Sequence, residues 1–534
     1  MCAPWSGRPA SRMHPTIEPA VPRVTWIMLS ALAAAGVGLV LFSTPHGTGI
    51  SPDSVQYVAA ARGVLDGAGL PLGLWAPLYP VVLASGETAG LDIFVWARLL
   101  NALLLAANLL LAGLMIARHH PSSRLAPVIG AGLLLLSEDY FTVHAWIWTE
   151  PLALFTGFLG LYWLDRVWGS SKATALVPPA LIIGVGCLIR YASLPFVAAG
   201  LLGILLLGRD NTVRARFTRA AVFGAAALLP FVGWIAYMLN VTGRVAGRAM
   251  RFRSTAPAEL EGGLRIAADW ILPGRVQGEA IRTWAGGALL LAWAVAALAV
   301  MVWRNRARTG ELAGDVPHSA DLLTLFVFAY AGMIVGARFF LSPSVSISHR
   351  IFSLAYAAMV VAAVAYAGDI LPWVRNRARA PAWDRRAWAV GLLTLLLLWG
   401  GLQLTHTTKW VRQAHAEGLG YATAEWRDSP LIRYVRDLPP GTPVYSNGPD
   451  AIYAMTGIPA RSLPDWPGGP ATAGMPLPVP IAQMRDELAA SGGVIVYFRG
   501  ITWRSTLSEV ELKRVLPLVP LFGTELGSIY TIGP

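Results

Sequence analysis

From Thr174 to Gly208 the chain runs for 35 residues with a single charged side chain, Arg190. A membrane-crossing helix needs roughly 20 apolar residues. This stretch therefore holds two helices with no room for a loop, and Arg190 and Tyr191 must form the tip of their hairpin. Similar runs recur at 24–42, 94–117, 125–142, 145–165, 174–189, 191–208, 219–239, 284–303, 320–341, 350–371 and 387–404, which predicts eleven spans. Hydrophobic residues make up 55% of the 534 positions and charged residues 13%. Soluble domains carry about 25% charge, so a water-facing surface is out of reach and the partner is a lipid bilayer. Collagen-like, disordered and disulfide-framework classes are excluded as well. The two cysteines, Cys2 near the start and Cys187 in an apolar run, form no framework.

The net charge is +12, and the excess sits in short loops between apolar runs. That pattern sets orientation and calls for no nucleic-acid partner. Arg8, Arg12 and Arg23 precede the first run, which places a segment 1–23 in the cytoplasm. The run is too long for a signal peptide and lacks a small-residue cleavage site. Basic loops at 118–124, 209–219, 304–308 and 375–386 then fall on the same side, provided that residues 75–92 do not span. That stretch, WAPLYPVVLASGETAGLD, is broken by Pro and Gly and reads as a helix at the outer interface. Three segments are left outside: a first loop 43–93, a middle loop 240–283 and a tail 405–534. In the tail, strand-like runs near Val444–Ser446, Val494–Phe498 and Ser528–Ile532 alternate with helical stretches at Ile481–Ser491 and Leu507–Val515. They predict a small α/β domain outside the membrane.

The span centres are nearly free of charge, and ionisable residues gather at the outer ends: Asp53, Arg62, Glu138, Asp139, Glu150, Arg190, Arg338, His349 and Arg350. A charge beside hydrocarbon is costly and marks a functional position unless a structural partner explains it. Four motifs carry them. In SPDSVQYVAAARG, Ser51 caps a helix, Pro52 suits its first position, and Asp53 and Tyr57 share a face. The plain alternative for Asp53 is complementing the helix dipole. In HAWIWTEPLAL, Glu150 precedes Pro151 at the outer end of a span. In GCLIRYASLP, Arg190 holds the hairpin tip, with snorkelling to the interface as its plain alternative. In SISHRIFSLAY, His349 and Arg350 open a late span. Glu138 and Asp139 read as a solvated loop pair.

In order and sidedness these motifs resemble the GT-C superfamily of polyprenyl-phosphate-sugar-dependent membrane glycosyltransferases. They are most similar to bacterial relatives of protein O-mannosyltransferases and to the aminoarabinose transferase of lipid A. The resemblance covers roughly residues 24–404, and the tail motif YSNGPDAIYAMTG resembles the outer tails of related chains. It implies an all-α polytopic membrane bundle of about 11 transmembrane helices with a small α/β C-terminal extracytoplasmic domain. By position it implies that Asp53 activates the acceptor hydroxyl and that Glu150 is a second catalytic acid. It places Arg190, Arg350 and Arg338 at the donor phosphate, with Tyr57, Trp75, Tyr191 and His349 as substrate contacts. Two departures stand out: Trp75-Ala76-Pro77 replaces the lysine-containing segment of the lipid A-modifying members, and His349 stands where many relatives have Asp.

The activity implied is an inverting transfer of a sugar from a polyprenyl-phosphate donor to an acceptor glycan, lipid or protein outside an inner membrane. Arginines meet the donor charge, so no cofactor is called for. A divalent metal is optional, and no ligand cluster of the usual spacing appears. The alternatives are a carrier that flips lipid-linked sugar and a non-catalytic envelope scaffold. Carriers place polar sites near the bilayer midplane, where this sequence is dry.

Overall fold

The computed structural model describes residues 21–70, 75–208, 212–243, 249–250, 252, 257–271, 278–307, 318–342, 347–377, 382–466, 477–502 and 506–533. Most of the segment expected in the cytoplasm, with Cys2, Arg8 and Arg12, lies outside the described residues.

The first half is a run of helices. These are α1 (Arg23–Ser43), α2 (Pro52–Leu65), α3 (Leu78–Thr88), α4 (Ile93–His119), α5 (Ala126–Leu135), α6 (Glu138–Thr142) and α7 (Glu150–Arg166). They continue as α8 (Val177–Ile189), α9 (Leu194–Leu207) and α10 (Val213–Thr242). A two-residue strand β1 (Ala249–Met250) precedes α11 (Pro257–Asp269), α12 (Glu279–Ala307) and α13 (Ser319–Phe340), and β2 (Leu341–Ser342) pairs antiparallel with β1. Then come α14 (His349–Arg377), α15 (Ala382–Glu417), α16 (Ala424–Arg427) and α17 (Pro430–Arg436). The remaining chain alternates: β3 (Val444–Ser446), α18 (Pro449–Thr456), β4 (Arg461–Ser462), α19 (Val479–Ser491), β5 (Val494–Phe498), α20 (Glu509–Val515), β6 (Leu518–Thr524) and β7 (Gly527–Ile532).

Among the described residues, six helices are long and apolar enough to cross a membrane: α1, α4, α10, the 28 residues Glu279–Arg306 of α12, α13, and the 22 residues His349–Ile370 of α14. The chain is an integral membrane protein. The other expected spans take a different form. The run 125–142 is two helices, because Leu136 leaves α5 and the Ser137 hydroxyl caps the backbone N–H of Tyr140 to start α6. At 1.5 Å per residue, α5 is about 15 Å long, half a hydrocarbon layer. The run 145–165 becomes helical only at Glu150, since residues 145–147 are drawn into bridges with Gly49. The run 387–404 lies within the 36-residue α15, which continues to Glu417. The stretch 75–92 holds an 11-residue helix, α3, with Tyr79 and Leu83 fully buried.

One apolar core joins α1, α4, α5, α7–α9, α13 and α14, with Phe196 stacked on Phe326 at 3.9 Å. A second, smaller core binds α2 and α3 to the start of α4 and to the segment after α15, through Tyr57, Tyr79, Leu83 and Tyr421. The C-terminal sheet has the order β4-β3-β5-β7-β6. Its β4-β3-β5 part is parallel, and β7 and β6 close it antiparallel. All five residues of β5 are buried, as a central parallel strand covered on both faces must be.

Candidate functional site

The loop before α2 is held from both sides. Gly49 pairs with residues 145–147 through Gly49 N–H to the Ala145 carbonyl (2.8 Å) and Ile147 N–H to the Gly49 carbonyl (3.0 Å). Ile50 pairs with 419–421, the Tyr421 N–H reaching its carbonyl at 2.9 Å. Gly420 has φ +58°, and a Cβ there would run into the Ile50 carbonyl oxygen, so this crossing requires glycine. Ser51 follows directly and caps α2 in a capping box with Ser54. The Ser54 hydroxyl donates to the Ile147 carbonyl (3.0 Å), and Trp148 Nε1–H donates to Ser51 Oγ (2.9 Å). The first turn of α2, and with it Asp53, is thereby anchored.

Three other chain segments arrive at the same place. Glu150 opens α7 just before Pro151, where the partial positive charge of a helix start favours a carboxylate. Arg190 ends α8 in an extended conformation, and a three-residue turn, Tyr191–Ser193, leads into α9. Arg350 is the second residue of α14. Its Nη1 lies 2.5 Å from Asp53 Oδ2 and its Nε 2.5 Å from Glu150 Oε1. Arg190 Nη1 meets the same Glu150 oxygen at 2.9 Å and donates to Thr149 Oγ1 at 3.0 Å. Residues up to 297 positions apart thus form a chain Asp53–Arg350–Glu150–Arg190, with two positive and two negative charges.

Exposure separates the two acids. The Glu150 side chain is 0% exposed and Asp53 is 32% exposed. A fully buried carboxylate with two guanidinium partners is a counter-ion; the exposed one is the group a solute can reach. The guanidinium of Arg350 also lies over Trp148, 4.4 Å from the ring centroid, a cation–π contact that fixes its plane. Arg190 Nε is buried with no acceptor among the described residues. A buried donor of this kind is rare without a functional reason.

The other expected residues are distributed around this chain. Tyr57 is buried, edge-on to Trp75 and Tyr79 at 5.5 and 5.2 Å. Burial pushes its hydroxyl up to about 12, with Arg350 opposing, so it stays protonated. Tyr191 donates to the Trp75 carbonyl (3.3 Å) and accepts from Trp234 (2.9 Å), tying the approach to α3 onto α10. Arg338 is buried in the last turn of α13, eight residues, or about 12 Å of helix, beyond Tyr330. Tyr330 donates to the Ile351 carbonyl (2.9 Å), just behind Arg350. His349 turns elsewhere, to Asp139 at 2.9 Å. Asp139 and Glu138 are therefore no simple solvated pair: both line a cavity with His349. The sequence reading missed Trp148, Thr149 and Tyr330. Trp148 and Thr149 lie inside the HAWIWTEP motif that drew notice to Glu150.

No protein-family model matches this sequence, and no curated protein matches it. Solved structures do. ArnT from Cupriavidus metallidurans, solved with undecaprenyl phosphate bound, superposes with a TM-score of 0.56 at 14% identity, over 96% of this chain and 100% of that one. The fold is that of the GT-C glycosyltransferases. The GT-C fold recurs in the mycobacterial arabinofuranosyltransferase AftD, at TM-score 0.53 and 16% identity over 97% of this chain and 40% of that one. It recurs again in the Archaeoglobus fulgidus oligosaccharyltransferase, solved with zinc and sulfate, at 0.52 and 12% over 88% and 68%. At these identities the likeness is one of GT-C architecture. Among the described residues, no group of three or more His, Cys, Asp or Glu is placed to hold a metal ion.

Proposed function

We propose that the protein is an inverting membrane glycosyltransferase that moves a sugar from a polyprenyl-phosphate donor to an acceptor outside the cell's inner membrane. The single observation that carries this is the Arg350 guanidinium held between Asp53 and Glu150, on a GT-C fold. In this reading the eleven apolar runs cross or enter the bilayer, residues 24–404 form the transferase part, and residues 405–534 form an extracytoplasmic domain.

The chemistry follows from the charges. The acceptor hydroxyl oxygen attacks the anomeric carbon as its proton passes to Asp53. The bond from that carbon to the phosphate oxygen breaks on the opposite face, and the electron pair leaves with the phosphate. Configuration inverts. Arg350 couples the two halves. While Asp53 is ionised, it occupies Arg350 Nη1. Once Asp53 takes the proton it is neutral, and that N–H turns to the phosphate oxygen just as the phosphate gains charge. A contact that strengthens only in the transition state raises turnover rather than ground-state affinity. Arg190, its side chain 15% exposed, supplies the second guanidinium, and Glu150 keeps both arginines in place. Two guanidiniums suit a phosphate because each presents paired donors.

The test is purified protein in detergent or nanodiscs with polyprenyl-phosphate sugars of several kinds, following released polyprenyl phosphate. Release that depends on Asp53 and Arg350 is expected. Failure of every donor, with the protein folded, would remove the proposal.

A further inference from the structure

His349 and Arg350 are neighbours in the first turn of α14, and successive helix residues point about 100° apart. Arg350 turns to Asp53, and His349 turns to a cavity of about 270 Å³ on the other side of that turn. Its walls come from α6, the end of α11, the start of α14 and α15. They carry three carboxylates, Glu138, Asp139 and Asp269, with His349, His406 and Gln403 between them. His349 Nδ1 lies 2.9 Å from Asp139 Oδ2, and its Nε2 lies 3.9 Å from Asp269 Oδ2. His406 Nδ1 lies 3.8 Å from Glu138 Oε2. Trp270 completes the wall. It is 6% exposed, and its indole Nε1–H has no acceptor among the described residues.

We infer that this cavity binds one neutral, hydroxyl-rich sugar ring of the acceptor. The inference rests on the transferase reading for the word acceptor, but the binding chemistry stands by itself. Three carboxylates repel phosphate, so the donor's headgroup belongs on the Arg350 side. The carboxylates and imidazoles are not grouped as metal ligands; they are spread around the cavity, as the hydroxyls of a sugar are. An ionised carboxylate has about four lone-pair sites. Asp139 and Asp269 each retain acceptor capacity after pairing with His349 and Arg282. Sugar hydroxyls donate to these oxygens, and the Gln403 amide, which donates to the Trp270 carbonyl at 2.7 Å, fixes the wall beside them. The volume lies just under the roughly 300 Å³ at which pockets for drug-sized ligands begin, and it accommodates one ring. A ring seated here lies across the first turn of α14 from Asp53, and the acceptor chain extends past that turn to present the attacking hydroxyl.

The experiment measures binding of methyl glycosides of mannose, glucose, galactose and arabinofuranose to the full chain without donor, by saturation-transfer NMR. Inorganic phosphate is the anionic competitor. At least one glycoside should bind, and Asp139→Asn and Asp269→Asn should each raise its Kd tenfold or more. Should those variants fail to fold, His406→Gln, at a partly exposed side chain, should raise Kd about threefold. Phosphate should not displace the glycoside. If no glycoside binds, if the substitutions leave Kd unchanged, or if phosphate competes, the inference is wrong. Glycoside binding without any donor turnover would instead uphold the cavity and remove the transferase reading.

Discussion

Replacing Asp53 by Asn separates two effects that most active-site substitutions confound. The amide cannot take the acceptor proton, so turnover should fall 10²–10⁴-fold, the usual contribution of a general base. Affinity for polyprenyl phosphate should move the other way. In the native chain Arg350 Nη1 is held 2.5 Å from Asp53 Oδ2. A phosphate on the far side of that guanidinium lies about 6 Å from the carboxylate, where two unit charges at an effective dielectric of about 20 repel by about 3 kcal/mol. Asp53 is 32% exposed, and solvent screening halves this to about 1.4 kcal/mol, or tenfold in Kd. The assay pairs release of polyprenyl phosphate from labelled donor with polyprenyl phosphate binding in nanodiscs, read by tryptophan fluorescence. Low turnover with tighter product binding supports the coupling through Arg350. Turnover within threefold of wild type, or weaker product binding, refutes it.

Arg350→Ala should cut both turnover and polyprenyl phosphate binding, and Arg350→Lys should restore only part, since an ammonium cannot bridge Asp53 and Glu150 as a fork does; thermal melts should show Arg350→Ala destabilised by about 3 kcal/mol or more, because it leaves Glu150 buried with one partner. Glu509 is held down to about 2 by its hydrogen bonds from Arg499. Its folded value lies below its ordinary value of 4.5, so its stabilisation is present above pH 4.5 and lost as pH falls towards 2; acid unfolding of the C-terminal sheet should show this and Glu509→Gln should abolish it. With Cys2 and Cys187 changed to serine, a cysteine at the exposed position Ser491 should react with an impermeant maleimide in intact cells; labelling only after lysis would reverse the topology.

Local signals were readable because their causes are local. Ser51-Pro52-Asp53 states a helix start in three residues, and the pattern around Val494–Phe498 states a buried strand. That Asp53, Glu150, Arg190 and Arg350 lie at the ends of apolar runs was readable from those runs alone, whereas the buried pair Arg118–Asp165 near the other end of α7 was not. What could not be read was which acid meets which base. Glu150 accepts from Arg190, 40 residues on, and from Arg350, 200 residues on, and that depends on α14 packing beside α4 and α7. The same limit hid the break at Ser137: hydropathy is continuous across 125–142, whereas a single hydroxyl bonding to Tyr140 decides that the helix restarts. It also hid the cavity beside His349, whose walls come from four separated segments.

The crossing of Gly420 over Ile50 has a consequence for biogenesis. Residues 49–50 leave the ribosome hundreds of residues before residues 419–421, yet they are aligned by them, one residue ahead of the turn that carries Asp53. A partly synthesised chain can insert its early helices and tie Gly49 and Ser54 to residues 145–147, but the second anchor of the turn that carries Asp53 is missing until the late segment arrives. Under the proposed function, a chain cut short before Gly420 should therefore sit in the membrane with lower turnover than the full chain.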